Sequence, residues 1–501
     1  MTKDIIKNSN IMKYILYALA SLVFIALFAP YTTILNDYFG IDSAIFWVFG
    51  NGILKDKIPY VELFDNKGPM LFFVWALGIF IGNGTKWGVF ILESICLFLD
   101  LIAIEKISKM YHLTYMKILI IQGFFLLIFC GTIYEGGLSE EWALPCGLYS
   151  LYWAIAYFKQ KLKKSEIIYA SILGVFLAFV VWMRPNNGAL IGAVALCIVI
   201  YQIANKKYVE LGKSMVGFLF GFLLITVPLV LWHMKYHCLS EMWYSSVTYN
   251  FLYASDGFYG KQWKEIVKII SYIGLALLGL LANFIRGYKK AENRKEFVWE
   301  NVLFGVCTII TGFACSLGYT WQHYFMLYIP CMIVIAIFLI QNLQIKKMIC
   351  ILLVLVLPYS YQIARNAGKC MLFNFAGYYD DVFSEITKIQ EIIPEEERDS
   401  VWGIGWKTAK YYAANDIVPC YKVFDMPAFF ATSEELREDA THMLDENPPL
   451  WIFTLSDTEE YIEGLFELLE NDYEQKACLE NKSDSVIREG QDIRVKLWRH
   501  N

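Results

Sequence analysis

The sequence contains eleven apolar stretches, each long enough to cross a lipid bilayer as a helix. They lie near residues 13–30, 87–107, 118–134, 141–158, 167–183, 188–205, 214–234, 266–285, 299–318, 323–341 and 347–363. Crossing the hydrocarbon core takes about 20 apolar residues in a helix. Because 57% of the chain is apolar and only 18% is charged, we expect a mainly α-helical, polytopic membrane protein.

One further apolar run, Pro69 to Gly82, is shorter than the others. As a helix it extends only about 21 Å, whereas the hydrocarbon core is about 30 Å thick. We therefore expect this segment to lie in the outer membrane interface, or to re-enter the membrane without crossing it.

The basic residues of the short loops predict the orientation of the crossings. If Pro69 to Gly82 does not cross, nearly all of these residues face one side, and the short loops on the other side contain only Arg184. The residues on the first side include Lys106, Lys109, Lys117, Lys159, Lys161, Lys163, Lys164, Lys206, Lys207, Lys213, Arg286, Lys289, Lys290, Arg294, Lys295, Lys346 and Lys347. The positive-inside rule then predicts a multi-pass protein of the cell membrane with a cytoplasmic N terminus.

The chain changes in composition after residue 363. Residues 364–501 carry 28 acidic and 14 basic side chains, which is typical of a soluble domain. We predict a transmembrane module over 1–363, with its first outer loop at 31–86, and a small extracytoplasmic α/β domain over 364–501. The patterns predict strands at 400–405, 450–455 and 493–498 and an amphipathic helix at 459–470.

No motif in the sequence predicts a bound cofactor. The twelve cysteines are scattered and no CxxC pair occurs, which favours neither a disulfide framework nor a zinc site. Gly403 and Gly405 lack the third glycine of a dinucleotide-binding motif. We expect that no cofactor is required, with a divalent metal bound by the acidic loops as the alternative.

The first outer loop, residues 31–86, is much longer than a connection between helices needs to be. Asp42 precedes apolar and aromatic residues at 44–49, a pattern suited to a helix lying on the bilayer surface. Further along, Tyr60, Asp65 and Lys67 precede the short apolar run. A lysine in this place can bind a lipid phosphate.

Three short outer loops carry the other candidate residues. They are Glu135, Glu140 and Glu141 in the first loop, Arg184 and Asn186 in the second, and His323 in the third. Each also has a purely structural interpretation, because acids at an interface are commonly hydrated and arginines at helix ends commonly reach toward water.

The loop motifs resemble those of GT-C integral-membrane glycosyltransferases, the class that includes protein O-mannosyltransferases and the bacterial lipid A aminoarabinose transferase. The resemblance covers about residues 1–345 and rests on Asp42, Pro59-Tyr60, Asp65, Lys67, Pro69, Arg184-Pro185-Asn186 and His323-Tyr324-Phe325. It implies that Asp42 is the catalytic acid and that Lys67 contacts the phosphate of a polyprenyl carrier. Two positions depart from the pattern: Asp56 replaces a common glycine, and Gly68-Pro69 replaces a pair of prolines.

The same residues suit sugar transfer chemically. A carboxylate such as Asp42 can accept the proton of an attacking hydroxyl, and cations such as Lys67 and Arg184 can stabilise a departing phosphate. Tyr60, Asp65, Glu135, Glu140, Glu141, Asn186 and His323 are then expected to bind substrate or shape the site.

The expected partners are a polyprenyl-phosphate-linked sugar, a glycan, lipid or protein acceptor of the cell envelope, and membrane lipids, but not nucleic acid. Two other functions stay open, a polysaccharide polymerase or ligase and a lipid-linked sugar flippase or transporter. A polymerase tends to carry its acids in later outer loops, and a transporter usually has broken helices at the membrane midplane.

Overall fold

The computed structural model describes residues 2–162, 165–251, 263–317, 320–373, 388–405, 408–425, 429–430, 433–454, 465–480 and 494–501. The part of the chain up to Gly368 consists of helices joined by loops. Its helices are α1 (Thr2–Phe28), α2 (Asp42–Leu54), α3 (Pro69–Ile81), α4 (Trp87–Met110), α5 (Tyr115–Thr132), α6 (Ser139–Phe158), α7 (Glu166–Val181), α8 (Ala189–Ala204), α9 (Tyr208–Lys235), α10 (Leu239–Trp243), α11 (Trp263–Gly287), α12 (Arg294–Cys315), α13 (Ile329–Ile340), α14 (Ile345–Val356) and α15 (Ser360–Gly368).

Nine helical segments within the described residues are long and apolar enough to cross a membrane. They correspond to nine of the eleven predicted crossings. The two other predicted crossings are also helical: α6 is 20 residues long with two acids in its first turn, and α7 has 16 residues. The prediction of a multi-pass, mainly helical membrane protein is therefore confirmed, whereas the number of crossings is only approximate.

The outer loop between α1 and α4 folds into two short helices that pack together. Helix α3 has 13 residues, fewer than a crossing requires. Helix α2 was expected to rest its apolar face on the bilayer surface, but this expectation is wrong. Residues 43–50 are all buried, because α3 covers one side of α2 and the C-terminal part of the chain covers another.

The C-terminal part contains a four-stranded sheet flanked by short helices. Its elements are α16 (Ile389–Ile392), β1 (Val401–Ile404), α17 (Ala409–Ala414), α18 (Glu434–Glu446), β2 (Trp451–Thr454), α19 (Leu465–Asp472), β3 (Tyr473–Glu480) and β4 (Arg494–His500). The strand order is β1-β2-β4-β3, with β1 and β2 parallel and the other neighbours antiparallel. The three predicted strands are confirmed, whereas β3 was not anticipated. Residues 459–464 of the predicted helix lie outside the described residues.

This C-terminal part is docked on α2 and on the loop that follows it. The backbone N–H of Phe64 donates to the carbonyl of Lys422 at 2.7 Å, and the Asn51 amide donates to Asp416 at 2.7 Å. Helix α17 packs against α2. The contact combines apolar burial with backbone hydrogen bonding, which gives the docking a defined geometry.

Candidate active site

The first turn of α2 is held by a carboxylate from a distant loop. Glu135, which is 1% exposed, accepts hydrogen bonds from the backbone N–H of Ile41 at 2.9 Å and of Ser43 at 3.0 Å. The Ser43 hydroxyl donates to the same carboxylate at 3.2 Å. Orphan N–H groups at a helix N terminus favour such an acidic acceptor. Glu135 therefore fixes the backbone on both sides of Asp42.

The Asp42 carboxylate itself remains uncommitted. Asp42 is partly exposed and makes no side-chain hydrogen bond or ion pair with any residue that the structure describes. The neighbouring Glu135 carboxylate, by contrast, is hydrogen-bonded to backbone N–H groups. Burial, together with the nearby charge of Asp42, raises the pKa of Glu135. A partly exposed carboxylate that the fold does not use is available to a substrate hydroxyl.

Lys67 sits in a tight turn whose backbone is held at several points. The Lys67 N–H donates to Asp65 Oδ1 at 2.8 Å, and the Lys67 ammonium lies 3.5 Å from the same oxygen. The Tyr60 hydroxyl donates to the Lys67 carbonyl at 2.8 Å. Burial raises the pKa of Asp65, and the charge of Lys67 opposes that shift. Tyr60 and Asp65 thus position Lys67.

The turn that carries Lys67 is joined directly to the loop that carries Arg184. The Gly68 N–H donates to the Met183 carbonyl at 2.8 Å, and the Met70 N–H donates to the Trp182 carbonyl at 3.1 Å. A Cβ atom on Gly68 would lie 2.1 Å from the Trp182 carbonyl oxygen. This contact explains why Gly68 stands where many GT-C enzymes have a proline. A proline at this position would lack the N–H and would also clash with the Trp182 carbonyl.

The other departure from the pattern, Asp56 in place of a glycine, also has a backbone explanation. Asp56 has a φ of +63°, in the left-handed region that glycine adopts without strain and that aspartate tolerates better than most residues. Tyr60 has a φ of +72°, a conformation that costs a bulky side chain about 1–3 kcal/mol. The Tyr60 N–H donates to the Leu63 carbonyl at 2.7 Å, which maintains this conformation beside Lys67.

Arg184 is nearly buried and has two side-chain partners. Its Nη1 lies 3.2 Å from Glu140 Oε1, its Nη2 donates to the Tyr324 hydroxyl, and its guanidinium carbon lies 4.1 Å above the Tyr324 ring. Sequence reasoning identified Arg184 and Glu140 separately but did not pair them. Tyr324 was missed as a partner, although it lies within the His323 motif.

His323 lies where the candidate side chains converge. It is 8% exposed, and its ring stacks near that of Tyr134 with centroids 6.2 Å apart. Charges on Asp42, Lys67, Arg184 and Glu140 all contribute to the electrostatic field at its imidazole. Residues from four separate outer segments therefore share one site.

Two of the predicted site residues are placed differently from the rest. Glu141 accepts from the Leu138 N–H at 3.3 Å, so it stabilises the turn before α6. Asn186 lies in the turn after Arg184, and its buried Oδ1 has no partner among the described residues.

Two lysines near the site were not singled out from the sequence. The buried Lys86 ammonium donates to the carbonyls of Asn36 and Tyr38, which precede α2, and burial lowers its pKa to about 7. Lys410 of α17 lies 5.9 Å from the ring centroid of Tyr31 and lowers the pKa of Glu135. No sequence signal marks Lys410, because only domain docking brings it here.

No group of three or more histidine, cysteine, aspartate or glutamate side chains arranged to hold a metal ion occurs within the described residues. The expectation that no metal is required stays a prediction.

The fold formed by the helical bundle, the packed helices α2 and α3 and the C-terminal sheet is also found in solved structures. Two crystal structures of ArnT from Cupriavidus metallidurans have this fold, one bound to undecaprenyl phosphate and one in the apo state. Their TM-scores are 0.62 and 0.58, each at 10% sequence identity and with 98% of both chains covered. The resemblance seen in the loop motifs is confirmed at the level of fold.

The sequence itself identifies a narrower family. Residues 5–349 match the family described as "Putative competence-induced protein Ccs4 N-terminal domain", and the chain belongs to that family. No curated protein matches the chain in sequence.

Proposed function

We propose that this protein is a membrane glycosyltransferase that moves a sugar from a polyprenyl-phosphate carrier to an acceptor of the cell envelope. The observation that carries the proposal is the uncommitted Asp42 carboxylate in a site that also contains Lys67 and Arg184. The ArnT structure with undecaprenyl phosphate has the same fold, which supports a lipid-phosphate donor.

In this mechanism an acceptor hydroxyl attacks the anomeric carbon of the donor sugar. A new carbon–oxygen bond forms to the acceptor while the bond between the sugar and the carrier phosphate breaks. Asp42 takes the hydroxyl proton as the new bond forms. Inversion at the anomeric carbon is implied by the likeness to GT-C enzymes, and no metal takes part.

The carrier phosphate leaves with additional negative charge, which Lys67 and Arg184 stabilise. Lys67 acts as a point charge, held in place by Asp65 and by the Tyr60 hydroxyl. Arg184 is oriented by Glu140 and Tyr324, and a planar guanidinium has a geometry suited to two-pronged binding of phosphate oxygens.

The basic loops at the opposite ends of the helices support a location of the site on the non-cytoplasmic side. Exposed cysteines introduced singly at Asp56 and Ser165 test this orientation in a chain whose exposed Cys350, Cys420 and Cys478 are replaced by serine. A membrane-impermeant reagent added to intact cells should label the first position and spare the second. The reverse pattern would refute the orientation.

The central experiment measures sugar transfer by the purified protein from a panel of labelled polyprenyl-phosphate sugars, with and without a chelator. We expect D42N to lower the transfer rate by about 10²–10⁴-fold, the usual contribution of a general base. Its thermal stability should match that of the parent, because the Asp42 side chain has no partner in the described structure. Transfer by D42N at the parental rate would show that another group is the base. A loss of transfer on addition of the chelator would show that a metal is required.

A further inference from the structure

An apolar cavity lies at the end of the helix bundle opposite to the proposed active site. The cavity is lined by residues from the end of α6 and the start of α7. The proposed active site lies at the other ends of these two helices, where α6 begins beside Glu140 and α7 ends beside Arg184. Its volume is about 180 Å³, and its lining includes Trp153, Tyr157, Tyr169, Leu173, Met215 and Phe218.

The cavity suits a hydrocarbon chain. An apolar cavity of about 150 Å³ remains dry and takes up small apolar molecules, so this one is large enough for a segment of an acyl chain. Leu196 and Met215, which line it, are 45% and 62% exposed. These exposed side chains at its edge show that the cavity opens outward, toward the lipid that surrounds the helices.

The polar edge of the cavity contains an incompletely paired amide. Gln202 is fully buried, and its Nε2 donates to the Tyr157 hydroxyl at 3.1 Å and to the Ser214 hydroxyl at 2.9 Å. Both partners line the cavity. The other end of the amide, Oε1, has no hydrogen-bond partner in the described part of the chain. The Gln202 amide therefore holds the Tyr157 and Ser214 hydroxyls in place at the polar edge of the cavity.

Basic residues outnumber acidic residues around the opening. The Lys207 ammonium lies 5.9 Å from the Tyr157 ring centroid and 5.3 Å from that of Tyr201. Glu166 lines the cavity, and Lys207 and Lys213 act on it with the opposite charge. The other charged residues on the surrounding segments are Lys161, Lys206 and Glu210. Lysines beside an apolar cavity at a membrane surface bind anionic lipid headgroups.

We propose that this cavity binds one anionic phospholipid of the leaflet opposite to the active site. An acyl chain occupies the apolar cavity, and the phosphate contacts Lys207. The site is separate from the proposed sugar transfer and does not depend on it.

Native mass spectrometry of the full chain, extracted from nanodiscs of equal phosphatidylglycerol and phosphatidylcholine, tests the proposal. We expect the parent to retain one phosphatidylglycerol. K207Q should lower its retention about fivefold, and A195F, which fills the cavity, should abolish it. K346Q, which removes an exposed lysine of α14, should have no effect, and melting curves should show that all variants remain folded.

Four results would overturn the proposal. Equal retention of phosphatidylcholine by the parent would exclude headgroup recognition. Unchanged retention in A195F would exclude the cavity, and an equal loss in K346Q would show a general effect of surface charge. If polyprenyl phosphate added to the nanodiscs displaces phosphatidylglycerol, and A195F prevents its binding, the cavity binds the carrier instead.

Discussion

Buried carboxylates occur at both ends of the helix bundle, but their partners differ. At the end away from the proposed active site, Lys13 of α1 lies 2.7 Å from Glu105 of α4. Lys159 of α6 lies 2.9 Å from both Glu296 and Glu300 of α12. Here each acid is neutralised by a lysine of another helix, so the pairs connect helices. Removing one partner leaves a buried charge uncompensated.

At the site end, the carboxylate of Glu135 is used instead to hold backbone N–H groups. This arrangement leaves the Asp42 side chain without a structural role. The comparison shows that at one end lysine–carboxylate pairs connect the helices, whereas at the other end the Glu135 carboxylate caps the helix that begins with Asp42.

Replacing Lys159 should have the largest effect on stability. K159M leaves Glu296 and Glu300 without their cation, and we expect a loss of about 3 kcal/mol in the free energy of unfolding. Transfer activity per folded molecule should be unchanged, because the residue is far from the site. Thermal unfolding in detergent and a rate normalised to folded protein provide the two measurements, and a changed rate with normal stability would contradict the division between the two ends.

Replacing Glu135 should reduce catalysis. In E135Q only one amide oxygen can accept from the Ile41 and Ser43 N–H groups, so the first turn of α2 shifts. A misplacement of about 1 Å can cost about 10²-fold in rate, and we expect kcat to fall by that order while the donor KM changes little. E105Q, at the opposite end, is the matched control and should retain the parental kcat. An unchanged kcat in E135Q would show that capping does not position Asp42.

The backbone junction between the Lys67 turn and Arg184 is tested by G68A. The added Cβ would meet the Trp182 carbonyl oxygen at 2.1 Å, so the turn must move away from Arg184. We expect the KM for the donor to rise about tenfold, since well-made phosphate contacts are worth about 1.5–3 kcal/mol each. G123A in α5, where no atom lies within 4 Å of the new Cβ, should leave the KM unchanged, and equal KM values for all three proteins would exclude this junction from donor binding.

Lys86 should make the stability of the protein depend on pH. Burial lowers the pKa of Lys86 from 10.5 to about 7, so between these values the unfolded chain binds more protons than the folded chain. Stability should therefore rise as the pH increases from about 7 toward 10.5. K86M should flatten this rise in the melting temperature measured between pH 7 and 10, and an unchanged slope would assign the dependence to other groups.

Much of the site could be predicted because the chemistry of its residues is local. Asp42 follows the first crossing, and Lys67 stands two residues after Asp65, so their places near one surface follow from the loops that carry them. The pairing of Arg184 with Tyr324, and the roles of Glu135 and Lys410, could not be predicted. These contacts join residues that are far apart in the chain, and no local pattern encodes them.

The sequence by itself determined that the chain is a multi-pass helical membrane protein. Lipid offers no hydrogen-bond partners, so long apolar segments must satisfy their own backbone as helices. Tertiary structure alone decided that α2 is covered on both sides by α3 and the C-terminal part, and that Asp42 is the acid that capping leaves available. The reason is that apolar residues seek burial without specifying the surface that buries them, whereas hydrogen bonds select their partners only once the chain has folded.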